Sequence, residues 1–194
     1  ENNMARGRYT NPLDDTHTNY NSDITGISPS WRMTKSSDAQ TFNDETWTKV
    51  DFSSTSYGWE EGTGYSGYMG INTADERFQI GLGGVYYVQT LIMFASANLD
   101  QKRFDCVFRK NGETITYPQR LYTAPDMDSA TKYHTLRHSQ LVRLKEGEYV
   151  EVYLKSRDGN VAMYASAGWS SFEGFYIGPG DHASYDALYY SLNN

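Results

Sequence analysis

The sequence predicts an all-β protein, an antiparallel sandwich of about ten strands. Its 194 residues include 17 Tyr, 8 Phe and 4 Trp beside 17 Gly, a mixture typical of strands joined by turns. From Trp47 onward, short β-rich runs alternate with turn residues, and Asn111-Gly112 and Asp158-Gly159 each lie between two such runs. Both dipeptides favour tight hairpins, because their backbones accept positive φ.

The strands are predicted where β-branched and aromatic residues cluster between Gly, Pro, Asn and Asp. Tyr149 to Ser156 is a typical inside/outside strand, since Val and Leu alternate with Tyr, Glu and Lys along it. In chain order the candidate strands are Trp47–Phe52, Tyr65–Ile71, Arg77–Gly81, Val85–Ala97, Arg103–Lys110, Thr114–Tyr117, Tyr133–Leu144, Tyr149–Ser156, Val161–Ala165 and Ser170–Ile177.

The longest run, Val85–Ala97, is apolar on both faces. Side chains alternate across a strand, so Tyr86, Val88, Thr90, Ile92 and Phe94 share one face and Val85, Tyr87, Gln89, Leu91 and Met93 the other. A strand in a sandwich normally has one face exposed to solvent. This strand is therefore either central and covered by a loop, or it packs its outer face on another subunit.

Two polar segments flank the sandwich. The first is rich in Asn, Asp, Ser and Thr, and its aromatics Tyr9, Tyr20 and Trp31 are evenly spaced, which suits anchors on a neighbouring surface. It is interpreted as a disordered leader or as an arm ordered by assembly. In the last segment, Asp181 can cap a short helix with a stripe of Tyr185, Leu188, Tyr189 and Leu192, which docks on its own domain or on a partner. The predicted segments are an extended arm (1–45), a sandwich domain (46–178) and a tail with a short helix (179–194).

Charge and composition exclude several classes of function. The net charge of −7 disfavours nucleic acids and acidic membranes as partners. A single cysteine, Cys106, excludes an intrachain disulfide and a cysteine-based zinc site. No apolar run approaches the ~18 residues of a membrane span, and the first residues lack the apolar core of a signal peptide.

Several stretches together resemble the trimeric jelly roll of complement subcomponent q globular heads and the tumour necrosis factor superfamily. The closing strand motif of that family is matched by Ser171-Phe172-Glu173-Gly174-Phe175-Tyr176-Ile177, and Trp47–Phe52 resembles the first strand common in bacteriophage members. The remaining matches are Phe78 followed by Gly84-Val85-Tyr86-Tyr87-Val88, the hairpin Phe108-Arg109-Lys110-Asn111-Gly112, and the strand pair Leu141 to Val152.

This resemblance implies a ten-stranded jelly roll that forms a homotrimer and has a binding or structural role without catalysis. We expect trimer contacts from Tyr87, Leu91, Met93 and Tyr153. The polar leader, the lone cysteine and the lack of a signal peptide or collagen-like stalk favour a phage virion protein, assembled in the host cytoplasm. Such a knob decorates the head, forms a spike or tips a fibre, and its arm binds other virion proteins. The alternatives are a receptor- or glycan-binding module carrying host specificity, or a secreted tumour necrosis factor-like ligand.

A candidate ligand loop joins aromatics to glycines and carboxylates. Tyr57, Trp59 and Tyr65 can stack on sugars while Glu60 and Glu61 accept hydroxyl hydrogen bonds. The same composition suits a loop packed at a trimer apex.

No catalytic or metal-ligating residues are predicted, and the protein is not expected to be an enzyme. His134 and His138 share one strand face, whereas a metal pair at that spacing suits a helix, so we expect packed or interface histidines. Glycoside hydrolysis needs two carboxylates across a cleft, but the acidic pairs here lie in loops where exposed acids are solvated. No cofactor is expected. Calcium on Asp126, Asp128 and carbonyls is chemically possible.

Overall fold

A computed structural model describes residues 30–35, 38–57, 70–94, 99, 102–115, 119–122, 133–165 and 168–178. These residues form strands and connecting turns, and no helix long and apolar enough to cross a membrane occurs among them. The strands are β1 (Ser30–Thr34), β2 (Thr41–Phe42), β3 (Thr48–Lys49), β4 (Ser54–Tyr57), β5 (Gly70–Asn72), β6 (Arg77–Gln79), β7 (Gly84–Phe94), β8 (Arg103–Lys110), β9 (Glu113–Thr114), β10 (Gln119–Tyr122), β11 (His134–Leu144), β12 (Tyr149–Arg157), β13 (Val161–Ala162) and β14 (Ser171–Gly178).

Two antiparallel sheets pack face to face. The five-stranded sheet has the order β11-β7-β14-β1-β4. The seven-stranded sheet runs β10-β8-β12-β6-β5, with β3 beside β12 and β9 beside β8, and β2 pairs with β13 separately. The all-β antiparallel prediction is confirmed. The described residues hold fourteen strands where ten are predicted. The four additional strands are β1, β2, β4 and β10, which are too short or too polar to stand out in the sequence.

The Asn111-Gly112 hairpin is confirmed, whereas Asp158-Gly159 forms a turn after β12 but no hairpin, because β13 pairs with β2 instead. Asn111 and Gly112 take positive φ values of 51° and 80° between β8 and β9, and Asp158 and Gly159 take 76° and 105° after β12. The Asn111 side chain also accepts a hydrogen bond from the backbone N–H of Tyr149 (3.0 Å), which ties the β8–β9 turn to β12.

Aromatic side chains from both sheets fill the core. Trp31 of the five-stranded sheet stacks on Phe78 of the seven-stranded sheet, with ring centroids 3.7 Å apart and planes 5° from parallel. Phe94 stacks on Phe104 across the same interface at 4.2 Å. Along β7 the predicted inner face is completely buried, because burial alternates strictly from Gly84 to Phe94.

The predicted boundary of the arm at residue 45 is wrong. β1 pairs with β14 along its whole length, and Trp31 is fully buried, so Trp31 is a core residue and cannot anchor the chain to another particle. Phe42 of β2 is fully buried as well. The error has a physical cause, because Trp31 and Met33 are the only large apolar residues of β1, and polar neighbours that include the buried Thr34 make the stretch resemble a polar leader.

A buried ion pair follows β1. The Lys35 side chain is fully buried, and its Nζ donates a hydrogen bond to Oδ2 of Asp51 at 2.6 Å. Burial alone raises the pKa of the Asp51 carboxyl, but hydrogen bonds from Lys35 and Ser53 lower it further than burial raises it. Asp51 is therefore ionised, as a buried lysine requires of its partner.

Candidate interaction surface

The outward faces of the two sheets differ in charge pairing and in the amount of exposed apolar surface. The outward side chains of the seven-stranded sheet form ion pairs with one another. Asp105 of β8 is fully buried beneath two guanidinium groups, with Arg120 Nε 2.8 Å and Arg157 Nε 2.5 Å from its carboxylate oxygens. Burial raises the pKa of Asp105, yet the hydrogen bonds from Arg120 and Arg157 bring it below its usual value.

Cations also cover the aromatic side chains of this face. The Arg109 guanidinium lies 3.8 Å from the ring centroid of Tyr153, and Arg77 lies 4.6 Å from that of Tyr149. Lys49 Nζ lies 3.2 Å from the Glu151 carboxylate. Such a face satisfies its own charges and leaves little apolar surface for a partner.

The outward face of the five-stranded sheet is open and apolar by comparison. We call it the β7 face, formed by the outward side chains of β11, β7, β14 and β1 together with the residues that lead directly into β11 and β14. Every large hydrophobic side chain that is exposed among the described residues belongs to it. These are Leu141 (59% exposed), Trp169 (55%), Ile177 (53%), Tyr133 (48%) and Phe175 (46%).

Strand register places the exposed side chains in rows across the β7 face. Leu141 of β11 and Phe175 of β14 are both the Cα partners of Tyr87, so the three form one row. The Tyr87 and Phe175 rings lie 5.2 Å apart between centroids, tilted by 33°. Exposed rows of this kind are typical of surfaces that contact another molecule.

A polar band crosses the β7 face beside that row. The Tyr87 hydroxyl donates to Gln89 Oε1 (2.9 Å), and Gln89 Nε2 donates to Glu173 Oε1 (2.8 Å). Arg32 Nε lies 3.6 Å from the other oxygen of Glu173. These groups fix the orientation of Tyr87 and separate the apolar row from the far end of the face.

The structure brings three of the four predicted contact residues together. Tyr87, Leu91 and Met93 all lie on the β7 face and are half-buried. Tyr153 does not join them, because β12 belongs to the other sheet and Arg109 covers its ring. The trimer contact of Tyr153 stays a prediction, on a different face from the other three residues.

Sequence reasoning missed Leu141, Phe175 and Ile177. Leu141 is a single apolar residue on the outward side of β11, and Phe175 and Ile177 follow Glu173 on the outward side of β14; a few exposed apolar residues are a normal surface feature. Only the register of β11 and β14 on either side of β7 shows that they adjoin.

Most of the predicted ligand and arm residues lie outside the described residues: Tyr9, Tyr20, Trp59, Glu60, Glu61, Tyr65, Asp126, Asp128 and the helix of 181–192. Tyr57 ends β4, at the edge of the five-stranded sheet. Of the candidate ligand loop, the structure therefore places only the first residue.

His138 is the packed histidine that the sequence predicts. Its ring stacks on Phe108 at 4.6 Å, and burial lowers its pKa to about 4. Its Nε2 meets no hydrogen-bond partner in the described ranges, which fits a neutral imidazole. Among the described residues no group of His, Cys, Asp and Glu is arranged to hold a metal ion.

No protein-family model matches the chain, and no curated protein matches its sequence. Among solved structures, Eiger TNF from S. frugiperda is similar with a TM-score of 0.53 and 12% identity, over 79% of this chain and 95% of that chain. The globular domain of zebrafish complement 1qA protein gives a TM-score of 0.47 and 11% identity, over 78% of this chain and 99% of that one. The TNF likeness shows that the sandwich is a jelly roll.

Proposed function

We propose that this chain is a non-enzymatic jelly-roll knob that assembles as a homotrimer through its β7 face. The observation that carries the proposal is the contrast between the two sheets. The charged side chains of one outward face form ion pairs with one another. The other face carries every exposed large hydrophobic side chain that the described residues contain. A second copy of the chain is the occupant that best fits an apolar face with a polar band.

We expect three copies rather than two because the family that the sequence motifs resemble is trimeric. In a ring of three, the contact joins two different patches of the chain, so each β7 face meets an adjoining edge of its neighbour. Tyr87, Leu141 and Phe175 then turn toward the axis. The likeness to a TNF structure supports this arrangement through the fold, as does the trimeric family that the sequence motifs resemble.

The proposal of a binding or structural role is supported by where the perturbed titratable groups lie. Burial raises the pKa values of Tyr86 and Cys106, and both side chains belong to the hydrophobic core. Asp51 and Asp105 are occupied by cation partners. These groups stabilise the sandwich and are not directed at a substrate.

The proposed setting is a bacteriophage virion, where the knob decorates a head, forms a spike or tips a fibre. The support is the resemblance of Trp47–Phe52 to the first strand of phage members. Tyr9 and Tyr20, in the polar segment before β1, remain the proposed contacts to other virion proteins. Immunogold labelling of phage particles with antibodies to the knob tests the setting, and unlabelled particles would refute it.

A receptor-binding module is the second candidate, and the exposed aromatic residues at one end of the β7 face favour it. Tyr133 and Trp169 are about half exposed there, a composition suited to a ligand. A secreted tumour necrosis factor-like ligand is one form of this candidate.

Charge placed on the β7 face tests the assembly. Phe175→Asp and Leu141→Asp each put a carboxylate into the proposed contact, at positions exposed enough for the fold to tolerate them. The matched control is Thr114→Asp, which is exposed on β9 of the other sheet. Sedimentation velocity should show smaller species for the first two variants and the wild-type species for the control. Unchanged assembly in all three would refute the β7 face as the contact.

A further inference from the structure

Exposed aromatic side chains converge at the far end of the β7 face, beyond the polar band. The Tyr164 N–H donates to the Met93 carbonyl at 2.8 Å, and the Met93 N–H donates to Ser170 Oγ at 3.0 Å. Trp169 directly precedes Ser170, so Tyr164 and Trp169 both lie beside Met93 at the end of β7. Tyr133 immediately precedes β11, the other neighbour of β7.

Two of these rings hold each other in place. Tyr133 and Tyr164 form an edge-to-face pair with centroids 4.8 Å apart and planes at 61°. The pair is thus a fixed corner with apolar ring surface and polar tips, while Tyr133 and Trp169 stay about half exposed.

An exposed cation lies next to this aromatic corner. Arg137 and Thr135 are exposed on β11, in register with Leu91 and Met93 respectively. Within the part of the chain that the structure describes, no carboxylate pairs with Arg137, whereas Arg32 in the polar band pairs with Glu173. Four residues of strand separate Tyr133 from Arg137, about 13 Å, which a disaccharide spans.

We propose that this end of the β7 face binds an acidic saccharide. A sugar ring presents an apolar face that packs on aromatic rings, and its hydroxyl groups bond to tips such as those of Tyr133 and Thr135. The Arg137 guanidinium is a planar donor that matches a sugar carboxylate with two parallel hydrogen bonds. A neutral sugar or an apolar peptide would leave this cation without a partner.

The site is separate from the Tyr87 row of the proposed contact between copies, and it adjoins the predicted contact residues Leu91 and Met93. The polar band of Gln89, Glu173 and Arg32 lies between the Tyr87 row and the aromatic corner. Each chain carries its own site, so the inference does not require three copies. An assembled knob would present three sites, which raises apparent affinity for a surface bearing many acidic glycans.

The test measures binding of 3′-sialyllactose, a trigalacturonate and the neutral sugars lactose and maltotriose by isothermal titration calorimetry with the full chain. At least one acidic probe should bind at least about tenfold more tightly than its neutral counterpart. This is the difference in affinity expected from one charge-assisted hydrogen bond. Arg137→Gln and Trp169→Ala should each weaken that binding by a similar factor. Lys145→Gln, which removes an exposed cation beyond the other end of β11, should leave it unchanged.

Three results would overturn the inference: no acidic probe binds, neutral and acidic probes bind equally, or the Arg137 and Trp169 variants bind as the wild type does. Native mass is measured on the same samples. A smaller assembly in Trp169→Ala would mean that the corner is a contact between copies, which also overturns the inference. A monomer that binds acidic sugar through Arg137 would refute the homotrimer and leave the sugar site standing.

Discussion

Tyr87 and Phe175 form a cross-strand aromatic pair on the outward side of the sandwich. They are Cα partners on β7 and β14, and their ring centroids lie 5.2 Å apart. Phe175 is 46% exposed, and Leu141 on the opposite side of Tyr87 is 59% exposed. Aromatic pairs of this kind contribute most when water is excluded from them. The pair therefore marks the centre of the proposed contact between copies.

Replacing Trp31 should destabilise the fold strongly. Trp31→Ala removes the ring that stacks on Phe78 and leaves a cavity between the sheets, which costs about 3–5 kcal/mol. Trp47→Ala is the control, since Trp47 is half-buried and covers Lys155 on the outer side. Urea denaturation should show a much larger loss for Trp31→Ala. Equal losses would contradict the placement of β1 in the core.

Asp105→Asn should weaken the outward face of the seven-stranded sheet. The substitution removes the charge that Arg120 and Arg157 share, and hydrogen bonds to charged groups contribute about 1.5–3 kcal/mol. Asp158→Asn is the control, because Asp158 and its partner Arg103 are both well exposed and should contribute less. The free energy of unfolding at pH 7 measures the difference. A larger effect at Asp158 would contradict the account of this face.

His138 should make stability depend on pH. Its folded-state pKa of about 4 lies below the ordinary value, so the unfolded chain binds more protons between the two. The neutral His138 therefore stabilises the fold fully above about pH 6.5. As the pH falls through 4, the free energy of unfolding decreases by about 3 kcal/mol in all. His138→Phe keeps the stack on Phe108 and should flatten the unfolding free energy over that range. A slope unchanged in His138→Phe would refute the assignment.

Cys106 should resist thiol reagents in the native protein. Its side chain is fully buried, and burial raises the pKa of the thiol, so little thiolate forms and none is accessible. Labelling by an aromatic disulfide reagent should proceed only in denaturant. A Thr114→Cys variant supplies an exposed thiol as the control and should react at once. Rapid labelling of Cys106 in buffer would contradict its position between the sheets.

The sequence reveals strands whose alternation is strong. β8 is predicted with its observed bounds, and β7, β11, β12 and β14 are predicted to within a few residues, because each has apolar side chains at every second position. The inner face of β7 is predicted residue by residue. β1 is missed because polar residues surround Trp31 and Met33, and no local pattern shows that β14 completes its pairing.

The candidate surface depends on contacts that are distant in sequence. Tyr87, Leu91 and Met93 follow from the two apolar faces of one strand, so the sequence predicts them. Leu141 and Phe175 join them only because β11 and β14 flank β7. Tyr153 has the same local pattern as a contact residue, and only the position of Arg109 above its ring distinguishes it.

The native mass of the full chain, measured by light scattering at several concentrations, tests the central claim most directly. The β7 face predicts a species of three chains that persists on dilution into the micromolar range, because its apolar row is covered only by another copy. A mass of one chain at every concentration would contradict the claim that this face is a contact between copies.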